Sequence, residues 1–188
     1  MIKNLKIINT EPLNNKIRLV NNYDQFKEVF KVFMDEPFYE AWTNNDMEEE
    51  YNEIKNNGEI IGYYNNNDLS GILTLIDGAR DSHPVKFSNP QEVIYVSDIA
   101  VKHEYRGRGY AKELVNYFMN FANNQDYYKY AYLRTNLEGS MSEGLFIHNG
   151  FTNMVDGNNE IITQVCSFPR TKDNLPETDI RKFLCKKL

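Results

Sequence analysis

Residues 96–114 read VSDIAVKHEYRGRGYAKEL. An apolar run ends in a turn that interleaves two glycines with two arginines, and a helical pattern starts at once. A strand running into a glycine-rich turn and then a helix is anion-binding geometry. The first N–H groups of a helix have no intrahelical partner and lie at the positive end of its dipole. Glycine admits left-handed backbone angles and lets a ligand approach the chain closely. Arg106 and Arg108 add charge-assisted hydrogen bonds. Two readings stand open here: a cradle for phosphate, or a tight turn with two solvated arginines. The spacing is neither GxxxxGKS/T nor GxGxxG, which speaks against a P-loop nucleotidase and a Rossmann dinucleotide site.

Outward from this turn the pattern is mixed. VIYVSDIAV (93–101) is the strongest strand signal in the chain. Lys112 to Ala122 places Leu114, Val115, Phe118 and Phe121 on one helical face. Upstream, Lys16 to Val20 reads as a short strand. Tyr23 to Met34 reads as an amphipathic helix with Asn22 or Asp24 near its cap, broken by Pro37. Asp46 to Asn56 is a second, very acidic helix. Glu59 to Tyr64 and Leu69 to Ile76 flank NNND and form a hairpin. Gly78 to Pro90 is a polar loop, longer than most connections. Downstream, Tyr130 to Leu133 is a strand, Ser140 to His148 a short helix, Gly150-Phe151 a return to strand, and Ile161 to Phe168 a further strand. Ile180 to Leu188 fits helix or strand equally. The order predicts one mixed α/β domain over residues 1–188, with no repeat and no linker.

Composition narrows the function classes. The 188 residues carry a formal net charge of -6, which argues against a nucleic-acid binder and leaves cationic partners open. The start, MIKNLKIINTEPLNNK, lacks the apolar core of a signal peptide. No run of about 18 apolar residues exists, so no membrane helix is expected. A cytoplasmic protein is the expectation. Cys166 and Cys185 sit in no CxxC or CxxH context, so neither a disulfide nor a metal site is expected.

The stretch Arg106-Gly107-Arg108-Gly109-Tyr110-Ala111 resembles the acetyl-coenzyme A motif, R/Q-x-x-G-x-G/A, of the GNAT superfamily of N-acetyltransferases. SDIAVKHEY before it is similar to that family's central strand and its exit. GLFIHNGF (144–151) is similar to the later "LY-x-x-x-GF" segment. With the element order, the resemblance covers nearly the whole chain. It implies a mostly antiparallel central sheet, flanked by helices, whose central strand splays from its neighbour. It implies acetyl-coenzyme A as co-substrate, lying in the gap. The backbone of Ile99, Ala100 and Val101 would pair with the pantetheine arm. The N–H groups of Gly107, Arg108, Gly109, Tyr110 and Ala111 would hold the pyrophosphate, with Arg106 and Lys112 nearby.

The reaction so implied is direct attack of an amine on the thioester. An alkyl amine of pKa about 10.4 costs about 4 to 5 kcal/mol to deprotonate at pH 7. Releasing a thiolate of pKa about 8.5 costs only about 2 kcal/mol. Handling the amine's proton therefore matters more than supplying one to sulfur. The family's usual acid is the tyrosine of the "LY-x-x-x-GF" segment, and the matching position here is Phe146, which cannot donate a proton. The family's asparagine near that helix is matched loosely by Asn136. Where many relatives carry Glu-Asp this chain has Ser97-Asp98. Asp98 is then the best carboxylate near the splay, or equally a structural acceptor, and Ser97 could position a water. Tyr95 is expected to line the acceptor cavity. His83 and Asp81, in the long loop, stand as outside candidates for the chemistry, a lone loop histidine being more often just solvated.

The implied acceptor side is DEPFYEAWTNNDMEEEYNE (35–53), which has eight acids, no Lys or Arg, and interleaved aromatics. Glu36, Tyr39 and Trp42 are its expected substrate contacts, suiting a cationic amine. A solvated acidic helix whose aromatics simply pack is the competing reading. The expected activity is N-acetyl transfer from acetyl-coenzyme A to a primary amine of a small, cationic molecule. A protein or peptide acetyltransferase, or a non-catalytic acyl-coenzyme A binding module, stands as the alternative. The expected assembly is monomer or homodimer.

Overall fold

β4 (Val93–Val101) lies at the centre of an eight-stranded sheet. The computed structural model describes residues 16–35, 43–167 and 178–188. Before β4 come β1 (Ile17–Leu19), α1 (Tyr23–Phe30), a 3-10 turn (Lys31–Asp35), α2 (Asn44–Asn57), β2 (Gly58–Asn65) and β3 (Asp68–Asp77). After it come α3 (Tyr110–Asn123), β5 (Tyr130–Asn136), α4 (Glu143–His148), β6 (Thr152–Asn153), β7 (Thr163–Ser167) and β8 (Thr178–Lys187). The strand order is β1-β2-β3-β4-β5-β8-β6, with β7 also paired to β8. Only β4 and β5 run parallel; the other pairs are antiparallel.

Local chemistry accounts for the element ends. Asn22 caps α1 by accepting from Gln25 N at 2.9 Å. Thr43 and Asp46 form a capping box at the start of α2, a helix longer at both ends than the acidic run suggests. Asn66 and Asn67 take φ of 50° and 72°, the two left-handed residues that a tight β2–β3 turn needs. The last segment is a strand. β8 pairs with β5 from Tyr130↔Lys187 to Asn136↔Arg181, and this long-range pairing decides what periodicity left open. The short strand after α4 is Thr152–Asn153, just past Gly150-Phe151.

The sheet has two covered faces. Ile94, Val96, Leu133 and Leu184 pack under α3 and α4 with Leu114, Val115, Phe118 and Phe146. On the opposite face Phe26, Phe30 and Ile54 cover Ile60, Ile72 and Ala100. Beyond the helices that face is closed by the 78–89 loop, whose Val85 joins Ile76, Tyr95, Tyr132 and Phe183. Each such fully buried side chain contributes about 1.5–3 kcal/mol of transfer free energy, so both covers are held firmly against the strands.

Candidate active site

The β4–β5 ladder runs from Val93↔Tyr130 to Val96↔Leu133 and stops there. Both strands continue, β4 to Val101 and β5 to Asn136. β4 keeps its other edge on β3, pairing Ile99, Ala100 and Val101 with Leu73, Ile72 and Gly71. Its edge toward β5 is therefore open past Val96. A groove of about 850 Å³ fills the opening, running from residues 96–101 past the turn at 105–112 to Phe146.

At one end of the groove stands the glycine-rich turn. Gly107 and Gly109 take φ of +75° and +83°, and a Cβ built on either would meet nothing within 4 Å. Gly109 is the cap residue of α3 and makes no side-chain cap bond to the first N–H groups of that helix. Gly107, Gly109, Tyr110 and Ala111 all line the groove, so the start of α3 borders it, which fits a pyrophosphate. Arg106 ties the turn to the strand by donating from Nε to Val101 O at 3.2 Å. Arg108 lies 5.3 Å over the ring of Tyr105, whose hydroxyl donates to Asp68 at 2.8 Å. Tyr110 stacks on Tyr63 at 4.1 Å, fixing the first turn of α3 against the sheet. Lys112 lines the groove.

At the other end, Asn136 and Phe146 line the groove from β5 and α4. Phe146 is buried and meets Phe151 edge-on at 5.4 Å, inside the α3–α4 core. The ring itself carries no proton donor.

The splay begins at a bulge. Leu75 pairs with Val96 and Leu73 with Ile99, so Ser97 and Asp98 together oppose Thr74. Thr74 Oγ1 accepts from Asp98 N at 2.7 Å and donates to Asp98 Oδ2 at 3.0 Å. Ser97 lines the groove beside it, half-buried. Glu50 of α2 lies near enough to feel this carboxylate. Burial first, then the charges of Asp98 and Glu53, push the Glu50 carboxyl up to about 8, while Arg80 opposes them. Arg80 itself is ion-paired with Glu53. Among the described residues no His, Cys, Asp and Glu cluster could hold a metal ion.

Tyr95 sits on the same face, its ring 4.8 Å from Tyr132 and edge-on to His83 at 4.9 Å. Burial raises its phenol well above the ordinary range. His83 is not solvated, as its loop position suggests, but buried, with Nδ1 3.1 Å from the Tyr132 hydroxyl. Burial and the neighbouring Arg134 and Arg80 push it down to about 4, so it stays neutral and structural. Of the acidic run, Glu48 and Glu49 are exposed, and Asp46 is used in the α2 cap. Glu36, Tyr39 and Trp42 lie outside the described residues.

A model of the acetyltransferase (GNAT) family matches residues 21–151. The chain belongs to the GNAT acetyltransferase family. It is an acyltransferase, and acetyl-coenzyme A is its co-substrate. No curated protein matches the sequence. Among solved structures, an N-acetyltransferase from Staphylococcus aureus Mu50 is 15% identical with a TM-score of 0.64, covering 91% of this chain and 96% of that one. A ribosomal-protein-alanine N-acetyltransferase from Brucella melitensis is 13% identical with a TM-score of 0.66, covering 92% and 99%. A Bacillus subtilis acetyltransferase in complex with CoA is 17% identical with a TM-score of 0.61, covering 92% and 98%. At these identities the likeness is one of fold.

In this GNAT chain the sequence reading missed how residues from different segments converge. Glu50 is one acid in a run of eight, and Arg80 and Arg134 carry no motif. They meet around the bulge only because α2, the 78–89 loop and β5 fold onto one face. Among the described residues no helix is long and apolar enough to cross a membrane.

Proposed function

We propose that this GNAT enzyme acetylates a primary amine of a small molecule, by direct attack within a ternary complex at the β4–β5 split. The observation that carries this reading is the groove where β4 and β5 part, which Asp98 lines. Glu50 of α2 lies within reach of that carboxylate's charge, and burial raises its pKa. The open donors of the Gly107–Ala111 turn support placing the pyrophosphate there, with Arg106, Arg108 and Lys112 adding charge. The edge of Ile99–Val101, which β5 leaves unpaired, supports pairing with the pantetheine arm as an added strand, with Arg106 moving off Val101 O to the phosphates.

The amine arrives as an ammonium, attracted by Asp98 and Glu53, and gives its proton to the fraction of Glu50 that is ionised, which grows as pH approaches 8. Transfer of its proton to an ordinary carboxylate of pKa about 4.3 costs roughly 8 kcal/mol. Transfer to a carboxylate near 8 costs about 3 kcal/mol. Glu50 is thus the better base, and Asp98, pinned by Thr74, keeps it so. The free amine attacks the thioester carbonyl, the C–N bond forms, and the C–S bond breaks. The second amine proton leaves with the collapse and neutralises the thiolate, through water in place of the absent tyrosine. Ser97, which lines the groove, would hold such a water, while Tyr95 is buried behind it among Tyr132 and Phe183. Phe146 contributes packing under the groove.

The test is thiol release from acetyl-coenzyme A across a panel of small primary amines, with mass detection of the acetylated product. Amine-dependent release is expected. Coenzyme A binding without any amine-dependent release or acetylated product would sink the proposal.

A further inference from the structure

Arg134 is the first residue of β5 beyond the last pair with β4, and it lines the groove. Side chains two apart on a strand share a face. Arg134 therefore shares the face of Tyr132, which packs on Tyr95 and His83. Its charge is felt by both His83 and Tyr95, which places the guanidinium on the acceptor side.

The side chain is held in place without being neutralised. Nη1 donates to Gln164 Oε1 at 3.1 Å and to Cys166 Sγ at 3.4 Å, an amide oxygen and a sulfur. Gln164 is itself anchored, donating from Nε2 to Ser82 O at 3.0 Å. Among the described residues no carboxylate pairs with Arg134. Arg80, by contrast, is already engaged by Glu53. The split thus has two poles: Asp98 on β4, whose charge reaches Glu50 of α2, and a positioned cation on β5.

A simple monoamine would leave that cation unanswered, and a diamine would be repelled by it. We propose that the acceptor carries a carboxylate beside its amine, in the manner of an amino acid, and that Arg134 binds this carboxylate. The planar fork of arginine suits a carboxylate bidentately. This inference rests on the proposed acetylation at the split.

The probes are amino acids, each matched with the amine left by its decarboxylation. With the wild type, the carboxylate-bearing member of at least some pairs is expected to give a kcat/KM at least tenfold higher, mostly through KM. Arg134→Gln should erase this preference while leaving coenzyme A affinity by calorimetry within about twofold. Arg134→Lys should keep part of it, since the charge stays and the fork is lost. Calorimetry of the same pairs on the coenzyme A complex reads binding apart from turnover. Amino-acid binding that Arg134→Gln abolishes would support the inference even with no acetylation, a result that counts against the proposed function alone. Equal or better use of the decarboxylated amines throughout would overturn it. So would a loss of coenzyme A affinity in Arg134→Gln with an unchanged preference.

Discussion

Thr74 Oγ1 lies 2.7 Å from Asp98 N and 3.0 Å from Asp98 Oδ2. One buried hydroxyl thus accepts from the backbone and donates to the carboxylate of the same bulge residue. Thr74→Val keeps the shape and removes both bonds, leaving the Asp98 N–H unanswered at a cost of about 1–3 kcal/mol. The expected result is a lower Tm and a kcat reduced about tenfold or more, with coenzyme A affinity unchanged. Equal kcat in the variant would show that Asp98 needs no positioning.

The glycine turn predicts a loss of cofactor binding. Gly109 takes a φ of +83°, with open space where a side chain would project. An L-residue there costs about 1–2 kcal/mol of backbone strain, and a large ring fills the space over the first α3 N–H groups. Gly109→Trp is expected to abolish coenzyme A binding in calorimetry while the protein still folds by circular dichroism. Near-normal affinity would displace the pyrophosphate from this turn.

Phe146 predicts a small effect from restoring a hydroxyl. Releasing the thiolate costs only about 2 kcal/mol at pH 7, so an acid at this ring is not expected to govern the rate. Phe146→Tyr should change kcat by less than about threefold. A gain above tenfold would show that sulfur protonation is the slow step.

Glu50 predicts a pH-dependent gain in stability. Its carboxyl rises from an ordinary 4.5 to about 8 in the folded protein, with burial the first cause. The folded state therefore holds this proton more tightly than the unfolded chain, and ionisation of Glu50 disfavours folding as pH climbs from 4.5 to 8. Glutamine carries no such penalty. Glu50→Gln should leave Tm nearly unchanged at pH 4.5 and raise it relative to wild type at pH 8. An equal shift at both pH values would mean that Glu50 ionises freely in the fold.

Much of the fold was legible because its signals are local. β4 was bounded from its apolar run alone and occupies Val93–Val101, and the α3 face was read from Leu114, Val115, Phe118 and Phe121. α4 starts later than its pattern, at Glu143, because Ser140 and Ser142 bond to each other, and Thr135 to Ser140, instead of entering the helix. β8 was ambiguous because its strand state comes from β5, far away in sequence. The cofactor turn was legible because strand, glycines and helix are contiguous. The acceptor side was not, since Glu50, Arg80, Asp98 and Arg134 come from four separate segments. His83 misled for the same reason, its polar loop being folded down onto Tyr132.

The most direct test of acetylation at the split is thiol release as a function of amine concentration, in wild type and Glu50→Gln at pH 8. A positioned base contributes about 10²- to 10⁴-fold. The wild type should release thiol saturably with amine and place the acetyl group on the amine nitrogen, and Glu50→Gln should be at least 10²-fold slower with coenzyme A affinity intact. Release that ignores the amine, or equal rates in the two proteins, would contradict the account.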